Sequence, residues 1–204
     1  MSTQIFSIFC IDYRFDALVA DFYEGIGKDF SYYANTNAGG ALSLGYEKYC
    51  KNLCIPCDES NGIHKTNKKA CCEPSNPSMK LLKNSIVENL KIALTISTIP
   101  EIYLLNHQDC GAIKAYLACS GFPKILGENN LKEIKINSNL LVYAKKYMKK
   151  IFSDKKYIMG FVDINGSVAT YDSCKKIWTI IYVGQYKDPK GTWYGMSKDS
   201  IYKI

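Results

Sequence analysis

Residues 103–116 read YLLNHQDCGAIKAY, and the fold turns on how that stretch divides. An apolar run, Tyr103 to Leu105, stops at Asn106; His107, Cys110 and a glycine follow, and then a helical pattern begins. Apolar residues closed by polar ones and followed by a helix indicate a buried strand feeding a crossover helix. The chain has 2 histidines among its 204 residues. One of them stands in an H-x-x-C spacing at this strand exit, which makes His107 and Cys110 a candidate ligand pair.

Working outward, strands and helices alternate. Residues 4–9 (QIFSIF) read as a buried strand ending at Cys10, and residues 16–24 as a helix stopped by Gly25. A second strand is expected over 29–34, followed by the loop NTNAGGA at 35–41. Residues 80–97 carry Leu82, Ile86, Leu90, Ala93 and Leu94 on one helical face, with Pro100 marking the end. Strand 101–106 then leads into His107, and a helix runs from about Gly111 to a Gly121 stop. Helix 137–152 precedes strand 157–164, and Asn165-Gly166 offers the two-residue turn of a hairpin into 167–171. Residues 177–183 (IWTIIYV) form one more strand. The alternation predicts an α/β fold: a mostly parallel sheet flanked by helices, with antiparallel edge strands. Chemistry on such sheets gathers beyond the carboxyl ends of the strands, where both Cys10 and His107 fall.

Composition narrows the function classes. At 204 residues with 47% hydrophobic content, residues 1–204 read as a single soluble domain able to bury a full core. The start, MSTQIFSIFCIDYRF, shows no basic leader, and no segment has membrane-spanning length, so no membrane role is expected. Nine cysteines are an odd count without an export signal, which favours reduced thiols and a cytoplasmic protein. The charge of +7 comes from 25 lysines and one arginine, Arg14. Base recognition relies on arginine forks, so nucleic acid is not an expected partner. Lys145, Lys146, Lys149 and Lys150 read instead as the solvated face of a helix whose apolar stripe is Leu140, Leu141, Ala144, Tyr147, Met148 and Ile151.

The stretch FCIDYRF supplies the partner of H-x-x-C. Cys10, Asp12 and Arg14 are spaced i, i+2, i+4, and continued strand geometry would point all three to one side. A carboxylate beside a guanidinium can form a forked ion pair. Cys10, His107 and Cys110 offer two sulfurs and one nitrogen, a set suited to zinc. Asp12 then either supplies a fourth ligand or turns away to Arg14.

C-x-D-x-R, the loop Asn37-Ala38-Gly39-Gly40, and the motif His107, Asp109, Cys110, Gly111 together resemble the β-class carbonic anhydrases. Their order along residues 4–171 is similar too, down to the late GFVDINGSV hairpin. The resemblance implies that fold, one catalytic zinc on Cys10, His107 and Cys110, and an Asp12–Arg14 dyad. Asp12 would bind the metal only in a closed state. It also implies substrate space near Gly39, Gly40 and Gly111, and a homodimer or higher homo-oligomer. The implied reaction is reversible hydration of carbon dioxide to bicarbonate and a proton through a zinc-bound hydroxide. Two thiolates should acidify the water less than three imidazoles would, favouring mildly alkaline pH. The chain departs from the family's pattern in three ways. Its first motif cysteine is already residue 10, Thr36 stands where the loop often begins with arginine, and about thirty extra residues follow the loop.

Those residues, an insertion at about 44–79, contain YCKNLCIPCDESNGIHKTNKKACC. Cys54, Cys57, Cys71 and Cys72 could form a second, structural zinc site, with Cys50 or His64 replacing one of the adjacent pair. The alternative is a reduced lysine-rich loop. Cys119 and Cys174 read as ordinary interior thiols. Two other functions share these residues: hydrolysis of carbonyl sulfide or carbon disulfide on the same site, and a non-catalytic zinc-binding assembly module.

Overall fold

The computed structural model describes residues 3–28, 31–53, 76–117, 130–163, 166–184 and 201–203. Its centre is a parallel pair. Strands β1 (Thr3–Cys10) and β3 (Thr98–His107) lie side by side because both are apolar on both faces, as a strand covered on both sides must be. Strand β2 (Tyr32–Asn37) adds in parallel to the outer edge of β1, and β4 (Lys156–Val162) in parallel to β3. The hairpin partner β5 (Val168–Asp172), then β6 (Ile177–Tyr182) and β7 (Ile201–Lys203), continue antiparallel. The sheet order among the described residues is β2-β1-β3-β4-β5-β6-β7. The expected α/β fold, with its parallel core and antiparallel edge, is the observed one.

Side-chain alternation divides the core into two layers. Helix α1 (Tyr13–Gly25) lays Phe15, Leu18, Val19 and Phe22 against Ile5, Phe9, Tyr103 and Leu105. On the opposite face lie α2 (Leu42–Leu53), α3 (Pro77–Ile96) and α5 (Asn130–Ile151). There Leu44, Ile86, Leu90, Leu141 and Met148 pack against Phe6, Ile8, Ile102 and Leu104. The short α4 (Gly111–Tyr116) follows Cys110. Asn76 caps α3 by accepting the Met79 N–H at 3.1 Å, and Pro77 opens its first turn.

Several boundaries differ from the sequence expectation. Strand β2 is displaced from 29–34 to 32–37, because backbone pairing with β1 runs to Asn37 and keeps the polar Asn35 and Asn37 buried. Pro100 follows the end of α3 as expected but lies inside β3, which starts at Thr98 instead of 101. The β1–β3 register slips between Thr3 and Ile5, opposite the proline, which has no N–H to give to the ladder. Helix α5 starts at Asn130 instead of 137, and Ile151, placed on its apolar stripe, is exposed. Cys174 is also exposed, in the turn after β5, where its N–H donates to Asp172 Oδ1; it is not an interior thiol. Residues 44–53 of the expected insertion belong to α2, a core helix, and 77–79 open α3. Cys54, Cys57, His64, Cys71, Cys72, Cys119, Gly121 and Asn165 lie outside the described residues.

Gly45 stands inside helix α2, although glycine disfavours helix interiors. The packing explains it: a Cβ at Gly45 would stand 2.3 Å from the backbone oxygen of Leu140 in α5. The two helices approach where one of them has no side chain. Gly45→Ala should therefore destabilise the fold by about 1–3 kcal/mol, the usual cost of overpacking, although alanine is the better helix former. Chemical denaturation checks the sign; a more stable variant would show that the helices are not in close contact there.

Candidate metal centre

The carboxyl ends of β1 and β3 are adjacent, since Ile8 pairs with Leu104 and the two strands run parallel. Cys10 ends β1, His107 ends β3, and the turn 108–109 returns the chain to Cys110 at the start of α4. All three are buried, and one ligand atom from each lies within 4.8 Å of the others. The Cys10 and Cys110 sulfurs are 3.9 Å apart. Two sulfurs bound about 2.3 Å from a tetrahedral zinc would stand about 3.8 Å apart. The spacing therefore needs almost no adjustment to receive the ion.

His107 offers the second test of fit. Its Nδ1 lies 2.7 Å from the Gln108 carbonyl oxygen, an arrangement that puts the proton on Nδ1 and leaves a lone pair on Nε2. Nε2 is buried and has no hydrogen-bond partner among the described residues. A buried polar atom without a partner is costly, and a metal ion supplies what this one lacks. Phe15 holds the other side of the ring, centroid to centroid 4.0 Å. The thiols are suited to a cation as well. The hydrogen bond with Cys110 holds the Cys10 thiol well below its ordinary value, against the upward pull of burial. The same hydrogen bond and burial push Cys110 up. The pair gives up one proton easily and resists losing the second, so a bound cation is needed to hold both as thiolates.

Asp12 and Arg14 meet, but not through strand alternation. The strand ends at Cys10; Asp12 caps α1 and accepts the Arg14 backbone N–H at 3.2 Å. The side-chain fork follows from the cap: Arg14 Nε donates to Oδ1 at 2.9 Å and Nη2 to Oδ2 at 2.6 Å. The guanidinium holds the Asp12 carboxyl down at about 2. Arg14 also reaches the other motif, with Nη1 3.5 Å from Asp109 Oδ2 and Nη2 3.4 Å from the Asp109 carbonyl oxygen. Lys114 pairs with Asp109 as well. Asp12 thus faces Arg14 and is not one of the clustered ligands.

The glycine loop braces Cys10 from the β2 side. Gly39 N–H donates to the Cys10 sulfur at 3.3 Å. Gly40 has a φ of 58°, and a Cβ there would lie 2.3 Å from the Leu105 oxygen, so the loop backbone rests directly on β3. An open depression of about 570 Å³ lies over Cys10, Asp12, Arg14, Ala38, Gly111 and Ala112. Gly111 lines it; Gly39 and Gly40 are buried and do not. A second hollow, about 560 Å³ between α2 and α3, shares none of these residues.

Sequence reading missed the polar residues behind the loops. Asn106 Oδ1 accepts the Ala41 N–H at 3.0 Å, and its Nδ2 donates to Asn137 Oδ1 at 2.9 Å. Glu133 Oε1 accepts the Asp109 N–H at 2.6 Å. Glu133 and Asn137 share the buried stripe of α5 with Leu140, Leu141 and Ala144. Polar side chains on an apolar helical face were the available signal, hidden because the helix was started at 137.

No family model matches the chain, and no curated protein matches it. Solved structures show a distant likeness. The beta-carbonic anhydrase CcaA matches 85% of this chain and 82% of its own at 16% identity, with a TM-score of 0.44. A carbonic anhydrase from Glaciozyma antarctica matches 81% of this chain and 80% of its own at 11% identity, with a TM-score of 0.43. The b-carbonic anhydrase CafA of the fungal pathogen Aspergillus fumigatus matches 84% and 76% at 14% identity, with a TM-score of 0.36. Likeness at this level says nothing of activity, and the chemistry of the site rests on its own geometry.

That geometry gives a direct expectation for metal content. Purified chain should bind zinc through Cys10, His107 and Cys110, and Cys110→Ser should lose most of it, because an alcohol is a far poorer ligand than a thiolate. Metal analysis after dialysis checks this. A Cys110→Ser protein that keeps the zinc of the parent would place the metal elsewhere.

Proposed function

We propose that the chain is a zinc-dependent carbonic anhydrase, hydrating carbon dioxide reversibly to bicarbonate and a proton. The observation that carries this reading is the Asp12–Arg14 fork. It turns the only nearby carboxylate of the C-x-D-x-R motif away from the ligand triangle, leaving three protein ligands and an adjoining opening. Three ligands with a vacant fourth position are the arrangement of catalytic rather than structural zinc sites. When bound there, zinc supplies Lewis acidity that lowers the pKa of a water molecule.

The chain's own residues do the rest. Asp12, held near a pKa of 2 by the Arg14 guanidinium, stays a carboxylate at every physiological pH. It can therefore accept a hydrogen bond in the opening but cannot act as a proton donor. An acceptor there selects an oxygen that still bears a hydrogen and orients its lone pair outward. Arg14 keeps Asp12 in that role by three contacts and also contacts the Asp109 turn, which links the two motifs. Ala38, Ala112 and Ile11 give the opening apolar walls that suit an uncharged linear substrate. Carbonyl sulfide and carbon disulfide have the same shape, and their hydrolysis is the alternative on this site.

The reading includes a cytoplasmic homodimer or higher assembly. Ile11 and Tyr13, 62% and 86% exposed at the rim of the opening, are apolar surface that a second copy could cover. No helix among the described residues is long and apolar enough to cross a membrane.

Arg14→Lys tests the dyad. Lysine keeps the charge but loses the planar two-pronged grip, freeing Asp12 to take the fourth position. Stopped-flow hydration of carbon dioxide should fall at least a hundredfold, the usual loss for one positioned electrostatic group, while zinc content stays at the parent's level. Parent-like hydration by the variant would reduce Arg14 to a surface charge. Loss of zinc would make it structural.

A further inference from the structure

Glu133 is an acid in a place that does not favour one. It sits on α5, 2% exposed, and burial pushes its carboxyl up to about 7. Buried carboxylates are rare unless something pairs with them. No lysine or arginine forms an ion pair with it among the described residues. Its side-chain hydrogen-bond partner among the described residues is a backbone group, the Asp109 N–H, at 2.6 Å. Among the described residues it is also outside the set of clustered metal ligands.

Asp109 is the residue that most needs a partner of this kind. It lies midway between His107 and Cys110 with a φ of 57°, in the left-handed region that non-glycine residues seldom adopt. That conformation is what lets a two-residue turn bring Cys110 back beside His107. The other groups of the turn are each fixed from a different side. Gln108 N–H donates to the Val162 oxygen at 2.9 Å, the Gln108 oxygen faces His107 Nδ1, and the Asp109 oxygen faces Arg14. Among the described residues, Glu133 alone holds the turn from the α5 layer. One helical turn on, Asn137 accepts from Asn106 at 2.9 Å, and Asn106 in turn carries the Ala41 N–H of the glycine loop. The two α5 residues are joined too, since Asn137 Nδ2 donates to the Glu133 backbone carbonyl oxygen at 3.0 Å. The turn between His107 and Cys110 and the glycine loop that braces Cys10 are therefore referenced to the same turn of α5.

We propose that Glu133 is a positioning residue of the metal centre: by holding the Asp109 amide it sets the left-handed turn that spaces His107 and Cys110 for one ion. The inference rests on the metal-centre reading above. It goes beyond that reading in assigning ligand spacing to a helix that supplies no ligand. Outer-sphere partners of this kind are worth 10–100-fold in metal affinity.

The role depends on an acceptor, not on a negative charge, and two substitutions separate these. Glu133→Gln keeps a side-chain oxygen for the amide; Glu133→Leu fills the space without one. Zinc affinity is measured by competition with a chromophoric chelator on the full chain, and the visible spectrum of the cobalt-loaded protein reports ligand geometry. Glu133→Gln should bind zinc within a few-fold of the parent and keep the parent's cobalt spectrum. Glu133→Leu should bind 10–100-fold more weakly, with altered cobalt bands and an unchanged far-ultraviolet circular dichroism spectrum. Parent-like affinity and spectrum in Glu133→Leu overturn the proposal, as does equal weakening in both variants. If Glu133→Leu does not fold, Glu133→Gln decides: affinity within a few-fold supports the role, and a tenfold loss overturns it. A parent chain that binds no zinc would instead overturn the metal-centre reading, so the two failures are distinct.

Discussion

Cys10 and Cys110 are 100 residues apart in sequence, yet their sulfurs stand 3.9 Å apart in the interior, beside an imidazole nitrogen with no hydrogen-bond partner among the described residues. Little else in the architecture is needed to explain the site once that approach is accounted for. It follows from the parallel pairing of β1 with β3, which brings two carboxyl ends to one edge of the sheet. It follows also from a left-handed residue at Asp109, which folds the chain back within two residues. Three buried ligand atoms in such a space are unfavourable alone and favourable around a cation. The metal would hold together three segments that the backbone has already aligned.

Around this centre the chain separates holding from acting. Gly39, Asn106, Asn137 and Glu133 fix the loops through backbone amides and neutral contacts, all within the helix layer or just above it. Asp12 and Arg14 stand on the solvent side, in the first turn of α1, and are braced mainly by each other. An exposed ion pair contributes little to stability. Its value here is geometric, because the fork determines where one carboxylate points. Arg14 stands out for that reason in a chain whose 25 other basic residues are lysines.

The parts legible in the sequence were those written in local pattern. Apolar runs located β1 and β3, helical periodicity located α3, and the three residues that cluster as candidate ligands came from two short motifs at strand ends. The parts that were not legible depend on contacts made after folding. Helix α2 was read as part of an insertion, and its place in the core rests on a contact made after folding, Gly45 against the Leu140 backbone. Strand β2 was set three residues early because Asn35, Thr36 and Asn37 look like loop until β1 pairs with them. Asp12 was placed on a strand continuation, whereas its own capping of α1 ends the strand and builds the fork. Glu133 escaped altogether, since its role is a single hydrogen bond to a backbone group 24 residues away.

A chain with nine cysteines offers zinc many sulfurs, so the central claim is about which of them it chooses. X-ray absorption at the zinc edge, on chain loaded with one equivalent of the metal, tests it most directly. A centre on Cys10, His107 and Cys110 with one open position should show two sulfurs at about 2.3 Å and two nitrogen or oxygen atoms at about 2.0–2.1 Å. A shell of three or four sulfurs would put the metal among the other cysteines and contradict the account.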